Sequence, residues 1–317
     1  MRIVLFGYQT WGHDLLTKLL ASRHEVVLLV THPDGDDPYE GIWNDHVGEL
    51  AREHGIPVVE REIPNDDELA ARIREADADV AVAINWRRWI APEIFSIPRL
   101  GTLNTHDALL PKYAGFAPLN WALVNGEPEV GITAHLMSAG LDQGDVVGQA
   151  SVEVGPTDTT ADLFHKTLAL FGPLTLESLE KMESGDYTPI PQDLSQASFF
   201  HKRTDEENRI DWSWPAEELE RLVRAQTDPY PNAFTHRGTE RIGILEASVS
   251  RQVYGGTGGR IFYREGDGVA IVAGPQPHKG LNRGLVIQRL RTPDGTVMTG
   301  AEYFTRMGGY LTPYPVG

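Results

Sequence analysis

Short apolar runs alternate with helical patterns through the first third of the chain. Strands are predicted at residues 3–6, 26–30, 58–59, 79–84 and 101–104. Apolar residues at helical spacing predict the helices between them, as at Leu15, Leu16, Leu19 and Leu20. Strands that are apolar throughout and alternate with helices are typical of a parallel sheet with helices on both faces.

The pattern changes after Gly131. Residues 132–136 and 146–154 flank a Gly-Leu-Asp-Gln-Gly-Asp turn and predict antiparallel or mixed strands. A long helix is predicted from about Thr159, because Asp162 three residues later completes a capping box.

A second, smaller domain follows a linker. Residues 189–208 are rich in proline, polar and charged side chains, which predicts a linker between domains 1–188 and 209–317. After a helix near Pro215, Gly-rich turns separate β-like segments at 242–249, 259–263, 269–272 and 285–290. The predicted fold class is α/β: a Rossmann-like, mostly parallel sheet with helices on both faces, plus a smaller, mainly β, OB-like C-terminal domain.

Composition agrees with a globular protein of two domains. The 317 residues are 41% hydrophobic and 23% charged, and no run is long and apolar enough for a membrane span. The first residues are interpreted as a strand rather than a signal peptide. With no Cys, disulfide and thiolate chemistry are excluded, and a cytoplasmic location is expected.

The net charge of −17 is concentrated in the first part of the chain. Residues 1–199 hold 13 Lys and Arg against 31 Asp and Glu, whereas residues 200–317 hold 15 against 14. So acidic a surface repels phosphate backbones and attracts a cationic small molecule. Nucleic acid is therefore disfavoured as a partner.

Common cofactor motifs are missing. Gly7–Gly12 (GYQTWG) follows the first strand but matches neither the dinucleotide nor the P-loop fingerprint. The 11 His residues are scattered without metal-ligand spacing, so no metal is expected.

Several polar residues are predicted to lie near the carboxyl end of one strand. Asn104 and His106 are two residues apart at the carboxyl end of a predicted strand, so their side chains share a face. Asp142 follows on a glycine-flanked turn. An amide, an imidazole and a carboxylate suit acyl transfer, with Asn as oxyanion donor and His as proton carrier. Considered one at a time, Asn104 could equally cap the strand end, His106 could be a hydrogen-bonded core histidine, and Asp142 could simply form the turn.

The surrounding block carries a family resemblance. It comprises Asn104-x-His106, Leu109-Leu110-Pro111-Lys112-Tyr113-x-Gly115, Pro118, Trp121-Ala122, Gly126-Glu127, Gly131-x-Thr133-x-His135 and Asp142-x-Gly144-Asp145. It resembles the signature of the 10-formyltetrahydrofolate-dependent formyltransferases. Further likeness at 209–234 and 285–304 extends the resemblance over nearly the whole chain.

The resemblance implies roles in formyl transfer. Asn104, His106 and Asp142 match the family's catalytic residues, and N10-formyltetrahydrofolate would be the co-substrate, without a metal. Expected folate contacts are Trp86, Arg87, Trp89, Ile90, Pro111, Gly140 and Leu141. Trp86 and Trp89 could equally be structural aromatics, and Arg87 and Arg88 plain surface.

Departures from the tRNA-formylating pattern indicate a different acceptor. An acidic loop, Asp34-Gly-Asp36-Asp37-Pro-Tyr-Glu40, stands where that pattern has a basic one, and Ala114 replaces its usual Arg. The opening residues and the central block resemble formyltransferases of hydroxamate-siderophore pathways, which implies N-hydroxyornithine as acceptor. Its expected contacts are Tyr8, Gln9, Asp107, Tyr113 and Phe116.

Other functions stay open at this stage. Methionyl-tRNA and nucleotide-sugar N-formyltransferases are the enzyme alternatives. A formyltetrahydrofolate hydrolase and a folate-binding regulator are the alternatives without transfer. The sequence leaves the oligomeric state and the role of the second domain undetermined.

Overall fold

A computed structural model describes residues 1–33, 35, 41–275 and 282–316. The chain divides into two compact units. The first comprises Met1–Pro118, Glu129–Glu153 and Phe164–His201, and the second comprises Leu119–Pro128, Val154–Leu163 and Lys202–Gly317.

The first unit is built on one seven-stranded sheet. Its strands are β1 (Arg2–Gly7), β2 (Glu25–Thr31), β3 (Val58–Glu60), β4 (Val80–Ile84), β5 (Thr102–His106), β7 (Glu129–Leu136) and β8 (Val146–Glu153), in the spatial order β3-β2-β1-β4-β5-β7-β8. A two-residue β6 (Ala114–Gly115) pairs in parallel with β9 (Phe199–Phe200). The helices are α1 (Gln9–Leu20), α2 (Val47–Glu53), α3 (Asp67–Glu75), α4 (Pro92–Phe95), α5 (Pro118–Asn125) and α6 (Thr160–Ser184), the last two continuing into segments of the second unit.

The sheet is parallel from β3 to β5 and antiparallel from β5 to β8. Alternate side chains of β1 enter two cores: Ile3 and Leu5 pack with α1, α2 and α6, whereas Val4 and Phe6 pack with α3 and α4. All five residues of β4 are buried. The predicted fold class, a mostly parallel sheet covered on both faces, is confirmed.

The second unit contains an antiparallel sheet. Its elements are α7 (Ala216–Gln226), β10 (Ala233–Arg237), β11 (Glu240–Tyr254), β12 (Ile261–Glu265), β13 (Gly268–Val272), β14 (Asn282–Arg291), β15 (Val297–Thr299) and α8 (Gly300–Tyr303). The strand order is β10-β11-β14-β13-β12, and β15 pairs with β14. The predicted mainly β character of this part is confirmed, although β10 and β15 were not among the predicted strands.

This division differs from the boundaries predicted from the sequence. Leu119–Pro128 and Val154–Leu163 belong to the second unit, in which Asn120 and Thr160 both donate to the carbonyl of Ala225, each at 3.0 Å. Residues 189–201 of the predicted linker belong to the first unit. The predicted capping box is present: Thr159 N donates to Asp162 Oδ2 at 2.9 Å, and Asp162 N donates to Thr159 Oγ1 at 3.2 Å.

The turn from β1 into α1 has a steric requirement. A methyl group on Gly12 would lie 2.8 Å from the carbonyl carbon of Gly7, closer than real contacts allow. Gly7 and Gly12, which lack the dinucleotide-binding pattern, therefore serve the close approach of helix to strand.

We expect Gly12→Ala to lower the free energy of unfolding by about 1–3 kcal/mol, because overpacking outweighs the better helix propensity of alanine. Gly48→Ala is the matched control, since the nearest atom to its added methyl group is the mobile Arg52 guanidinium at 3.3 Å. Urea unfolding measures both. A Gly12→Ala protein as stable as Gly48→Ala contradicts this packing.

Candidate active site

The antiparallel pairing of β5 with β7 places Asn104 beside His135. The two residues are direct cross-strand partners, so their side chains lie on the same face of the sheet. Asn104 Nδ2 is 3.0 Å from His135 Nε2, and His135 Nδ1 is 3.0 Å from the carbonyl oxygen of Leu136.

These contacts determine the protonation of the pair. A carbonyl oxygen only accepts, so His135 Nδ1 carries the hydrogen. Burial lowers the pKa of His135 below its ordinary value, against the raising effect of Asp142, so the ring is neutral and Nε2 has a lone pair. Asn104 must then donate one N–H to Nε2. Its second N–H is left for another acceptor.

His106 ends β5 and lies near Asp142. His106 Nε2 is 3.3 Å from the carbonyl oxygen of Tyr113 and 3.9 Å from Asp142 Oδ2. Because the Tyr113 oxygen accepts, Nε2 carries a hydrogen, and the neutral ring can take a further proton at Nδ1. Each of the two side chains is 13% exposed, so the imidazole and the carboxylate are only partly screened by water.

Asp142 lies between the two histidines. Its Oδ1 is 3.9 Å from His135 Nε2, and its Oδ2 accepts from the backbone N–H of Gly115 at 2.9 Å. Asp142 has a φ of +52°, a left-handed conformation that costs a non-glycine residue about 1–2 kcal/mol. Such strain is common at functional sites. The structure thus brings Asn104, His106 and Asp142 together, and it adds His135, which the sequence-based site did not include.

The loop after β5 is tied to the sheet by Thr133. Its Oγ1 donates to the carbonyl of Ala108 at 2.6 Å and accepts from the N–H of Leu110 at 3.0 Å. Gln149 Nε2 also donates to the carbonyl of Leu110, at 2.7 Å. These bonds fix the backbone that leads from His106 to Pro111.

The expected folate segment follows β4. Trp86 stacks on His32 at 3.9 Å between ring centroids, Ile90 is buried, and Trp89 is 49% exposed. Asn65 accepts from Ala91 N at 2.7 Å and donates to the carbonyl of Trp89 at 2.9 Å, which fixes this backbone. Gly140 and Leu141 directly precede Asp142, and the Leu141 side chain is 47% exposed.

Arg87, expected from the sequence to contact the folate, instead contacts two residues that are expected to bind the acceptor. Its Nη2 donates to Gln9 Oε1 at 2.6 Å, and its guanidinium stacks over the Tyr8 ring at 5.1 Å. Asn85 Nδ2 also donates to Gln9 Oε1, at 3.2 Å. These residues follow β1 and β4, where the strand order reverses, and ligands of open α/β sheets bind at such crevices.

The other expected acceptor residues occupy two environments. Tyr113 is buried and stacks on Phe200 at 4.8 Å, whereas Phe116 is 39% exposed. Tyr8 and Gln9 line a cavity of about 110 Å³ at the carboxyl ends of β1, β2 and β3. Asn104, His106 and Asp142 are not among the residues that line this cavity in the described part of the chain.

Asp107 follows His106 and is half-buried. Its Oδ1 is buried and has no hydrogen-bond partner among the described residues. Burial raises the pKa of Asp107 to about 7, while His106 and hydrogen bonds with Thr167 and Trp11 act to lower it. A carboxyl group in this setting changes charge near neutral pH.

Two classes of site have no support among the described residues. No three His, Asp or Glu side chains there are grouped so that they could hold a metal ion. None of the described helices has the length and apolar character to cross a membrane. The cytoplasmic location stays a prediction.

Comparison with known families identifies both parts of the chain. Residues 1–172 match the family described as formyl transferase, and residues 202–308 match its C-terminal domain. The first match covers more than half of the chain, so the protein belongs to the formyl transferase family. The family predicted by resemblance is confirmed.

Solved structures share the fold at low identity. HypX from Aquifex aeolicus in complex with tetrahydrofolic acid has a TM-score of 0.58 at 21% identity, over 96% of this chain and 47% of HypX, so this chain spans about half the length of HypX. The sugar 3N-formyl transferase WlaRD, in the presence of dTDP and 5-N-formyl-tetrahydrofolate, has a TM-score of 0.66 at 17% identity over 93% and 99% of the two chains. An N-formyltransferase from Helicobacter canadensis, in complex with folinic acid and dTDP-3-aminofucose, has a TM-score of 0.65 at 18% identity over 90% and 98%.

The environment of Asp107 predicts a specific pH dependence of stability. Its folded pKa of about 7 lies above the ordinary value of 3.8, so the folded state binds the proton more tightly and stability from this group falls as pH rises between these values. Asp107→Asn does not titrate. The variant should therefore gain stability relative to wild type between about pH 5 and pH 8 in chemical unfolding. If the difference in free energy of unfolding between Asp107→Asn and wild type is the same at both pH values, the raised pKa assigned to Asp107 is wrong.

Proposed function

We propose that this protein transfers the formyl group of N10-formyltetrahydrofolate to the side-chain hydroxylated nitrogen of N-hydroxyornithine, in siderophore biosynthesis. The observation that carries the proposal of formyl transfer is the meeting of Asn104, His106 and Asp142 at the carboxyl edge of the sheet. The acceptor is proposed from the sequence resemblance and from charge.

The reaction exchanges one C–N bond for another. The acceptor nitrogen attacks the formyl carbon and forms the new C–N bond, while the carbonyl electrons move to oxygen. When the tetrahedral intermediate collapses, the bond from carbon to folate N10 breaks. The acceptor nitrogen loses a proton and N10 gains one, so the products are the neutral formamide and tetrahydrofolate protonated at N10 as a secondary amine (N–H).

Each of the three residues has a place in this sequence. The N–H of Asn104 that His135 leaves unused donates to the developing oxyanion, since amide donors are effective there in a partly buried site. His106 receives the proton from the attacking nitrogen at Nδ1. Asp142 stabilises the resulting imidazolium and supports transfer of the proton to N10.

The folate is proposed to bind between two backbone segments. The exposed ring of Trp89 supplies apolar surface for the pterin on the segment that also holds Trp86 and the buried Ile90, and the turn of Gly140 and Leu141 is the second proposed contact. Pro111 completes this set. Neighbouring folds that were solved with tetrahydrofolic acid or folinic acid support a folate co-substrate.

The acceptor is proposed to bind toward Tyr8 and Gln9, with Asp107, Tyr113 and Phe116 nearer the reacting atoms. The excess of acidic residues in 1–199 favours a cationic amino acid over a phosphorylated acceptor. The wall of the cavity beside Tyr8 and Gln9 contains Asp45 and Glu49 besides the ion pair of Arg52 with Glu60, an acidic excess that supports the same preference. The acidic loop used in this argument, with Asp34, Asp36, Asp37 and Glu40, lies outside the described residues.

A nucleotide sugar is the second candidate acceptor. Two structures with the same fold were solved with dTDP or with dTDP-3-aminofucose. That acceptor needs cationic groups for its diphosphate, and Arg87, which binds Gln9 just after the carboxyl end of β1, is one such group.

An acceptor panel tests the proposed function. Purified protein and N10-formyltetrahydrofolate are mixed with N-hydroxyornithine, ornithine, a dTDP-aminosugar or charged initiator tRNA, and the formylated product is measured by mass spectrometry. We expect product with N-hydroxyornithine. Formylation of the sugar or the tRNA alone contradicts the acceptor, and tetrahydrofolate release at full rate without any acceptor indicates a hydrolase.

Substitutions test the three proposed catalytic roles. His106→Ala and Asp142→Ala should each lower kcat by roughly 10²–10⁴-fold, and Asn104→Ala by on the order of 10²-fold or more. Cooperative unfolding should persist in all three. A variant with near-normal turnover removes that residue from its role.

A further inference from the structure

The segment before β9, interpreted from the sequence as a linker, borders the proposed catalytic turn. Val146 and Ile190 exchange two backbone hydrogen bonds of 2.8 Å, which fixes the segment against the start of β8. We propose that Gln192, on this segment, is a positioning residue that holds the turn carrying Asp142. This inference rests on the proposed formyl transfer.

Gln192 binds the turn through its amide nitrogen. Nε2 donates to the carbonyl oxygen of Asp142 at 2.8 Å and to that of Gly144 at 2.7 Å. Both partners are carbonyls and can only accept, so the amide orientation is determined and both hydrogens are used. Among the described residues, no other side chain donates to either carbonyl.

The carbonyl oxygen of the Gln192 side chain lowers the stability of the folded protein. This oxygen, Oε1, is buried and has no hydrogen-bond partner among the described residues. A buried acceptor without a partner destabilises the folded state, and an apolar side chain of similar size would avoid this cost. The two donated bonds are therefore what glutamine contributes at this position.

The turn needs such support because of its geometry. Asp142 adopts a positive φ, and a methyl group on Gly144 would overlap the carbonyl oxygen of Leu136. The direction of the Asp142 carboxylate follows from this backbone. Loss of the Gln192 bonds would change its distances of 3.9 Å to His106 and His135.

The same segment also supports His106. Ser198 Oγ accepts from Tyr113 N at 2.9 Å, and the Phe200 ring stacks on the Tyr113 ring. The carbonyl of Tyr113 is the one that accepts from His106 Nε2. Residues 190–200 thus reach both the proposed carboxylate and the proposed proton carrier, and Gln192 is their direct link to the former.

Gln192→Met tests the proposal, because it keeps the length of the side chain and removes both donors. We expect kcat to fall roughly 10- to 100-fold, as when a catalytic group is misplaced by about an ångström. The KM for folate should change far less. Gln196→Met is the matched control, since Gln196 is exposed on the same segment and its side chain bonds only Ser195 Oγ among the described residues, at 3.4 Å. Its kcat should equal that of wild type.

Gln192→Glu gives an independent reading if the methionine variant folds poorly. Its carboxylate cannot donate to the two carbonyls. We therefore expect a similar loss of kcat, with a far smaller change in the KM for folate. Both variants within about twofold of wild type in kcat overturn the proposal.

Hydrogen exchange separates this proposal from the proposed function. Exchange measured by mass spectrometry over residues 140–146 should be faster in Gln192→Met and unchanged in Gln196→Met. Unchanged exchange in Gln192→Met overturns the positioning role. A wild-type protein that formylates no acceptor refutes the proposed function, while the exchange result still decides whether Gln192 holds the turn.

Discussion

The hydrogen-bonded chain from the Leu136 carbonyl through His135 to Asn104 is the constraint on which the site depends. The carbonyl places the hydrogen of neutral His135 on Nδ1, and the lone pair on Nε2 then requires a donor from Asn104. One hydrogen of the Asn104 amide is thereby bound to His135, and the other is available to a different acceptor. If burial did not keep His135 neutral, the two groups would both present hydrogens and the amide would turn.

The antiparallel extension of the sheet makes this arrangement possible. A purely parallel sheet would bring the carboxyl ends of its strands to one edge, but β7 runs back beside β5 and adds His135 from the middle of the chain. The turn after β7 then returns Asp142 to the same edge. Residues 190–200 bind this turn and the loop of Tyr113, so the proposed catalytic groups derive their geometry from segments that are distant in the sequence.

Local patterns predicted much of this architecture. Apolar runs located the five parallel strands, Thr159 and Asp162 marked the start of α6, and alternation placed Asn104 and His106 on one face. The partners of these residues depend on pairings between distant segments. Nothing local at Gln192 distinguishes it from a linker glutamine, and the bond from Arg87 to Gln9 requires β1 and β4 to be neighbours. His135 was within the family motif, but only the register of β7 shows its contact with Asn104.

The most direct measurement is a crystal structure with a stable folate analogue bound that carries its formyl group on N10, as the proposed co-substrate does. We predict that the formyl oxygen lies within hydrogen-bond distance of Asn104 Nδ2, about 3 Å, with the formyl carbon facing His106 and Asp142. A formyl group bound away from these residues, for example in the cavity beside Tyr8 and Gln9, would contradict the assignment of the site.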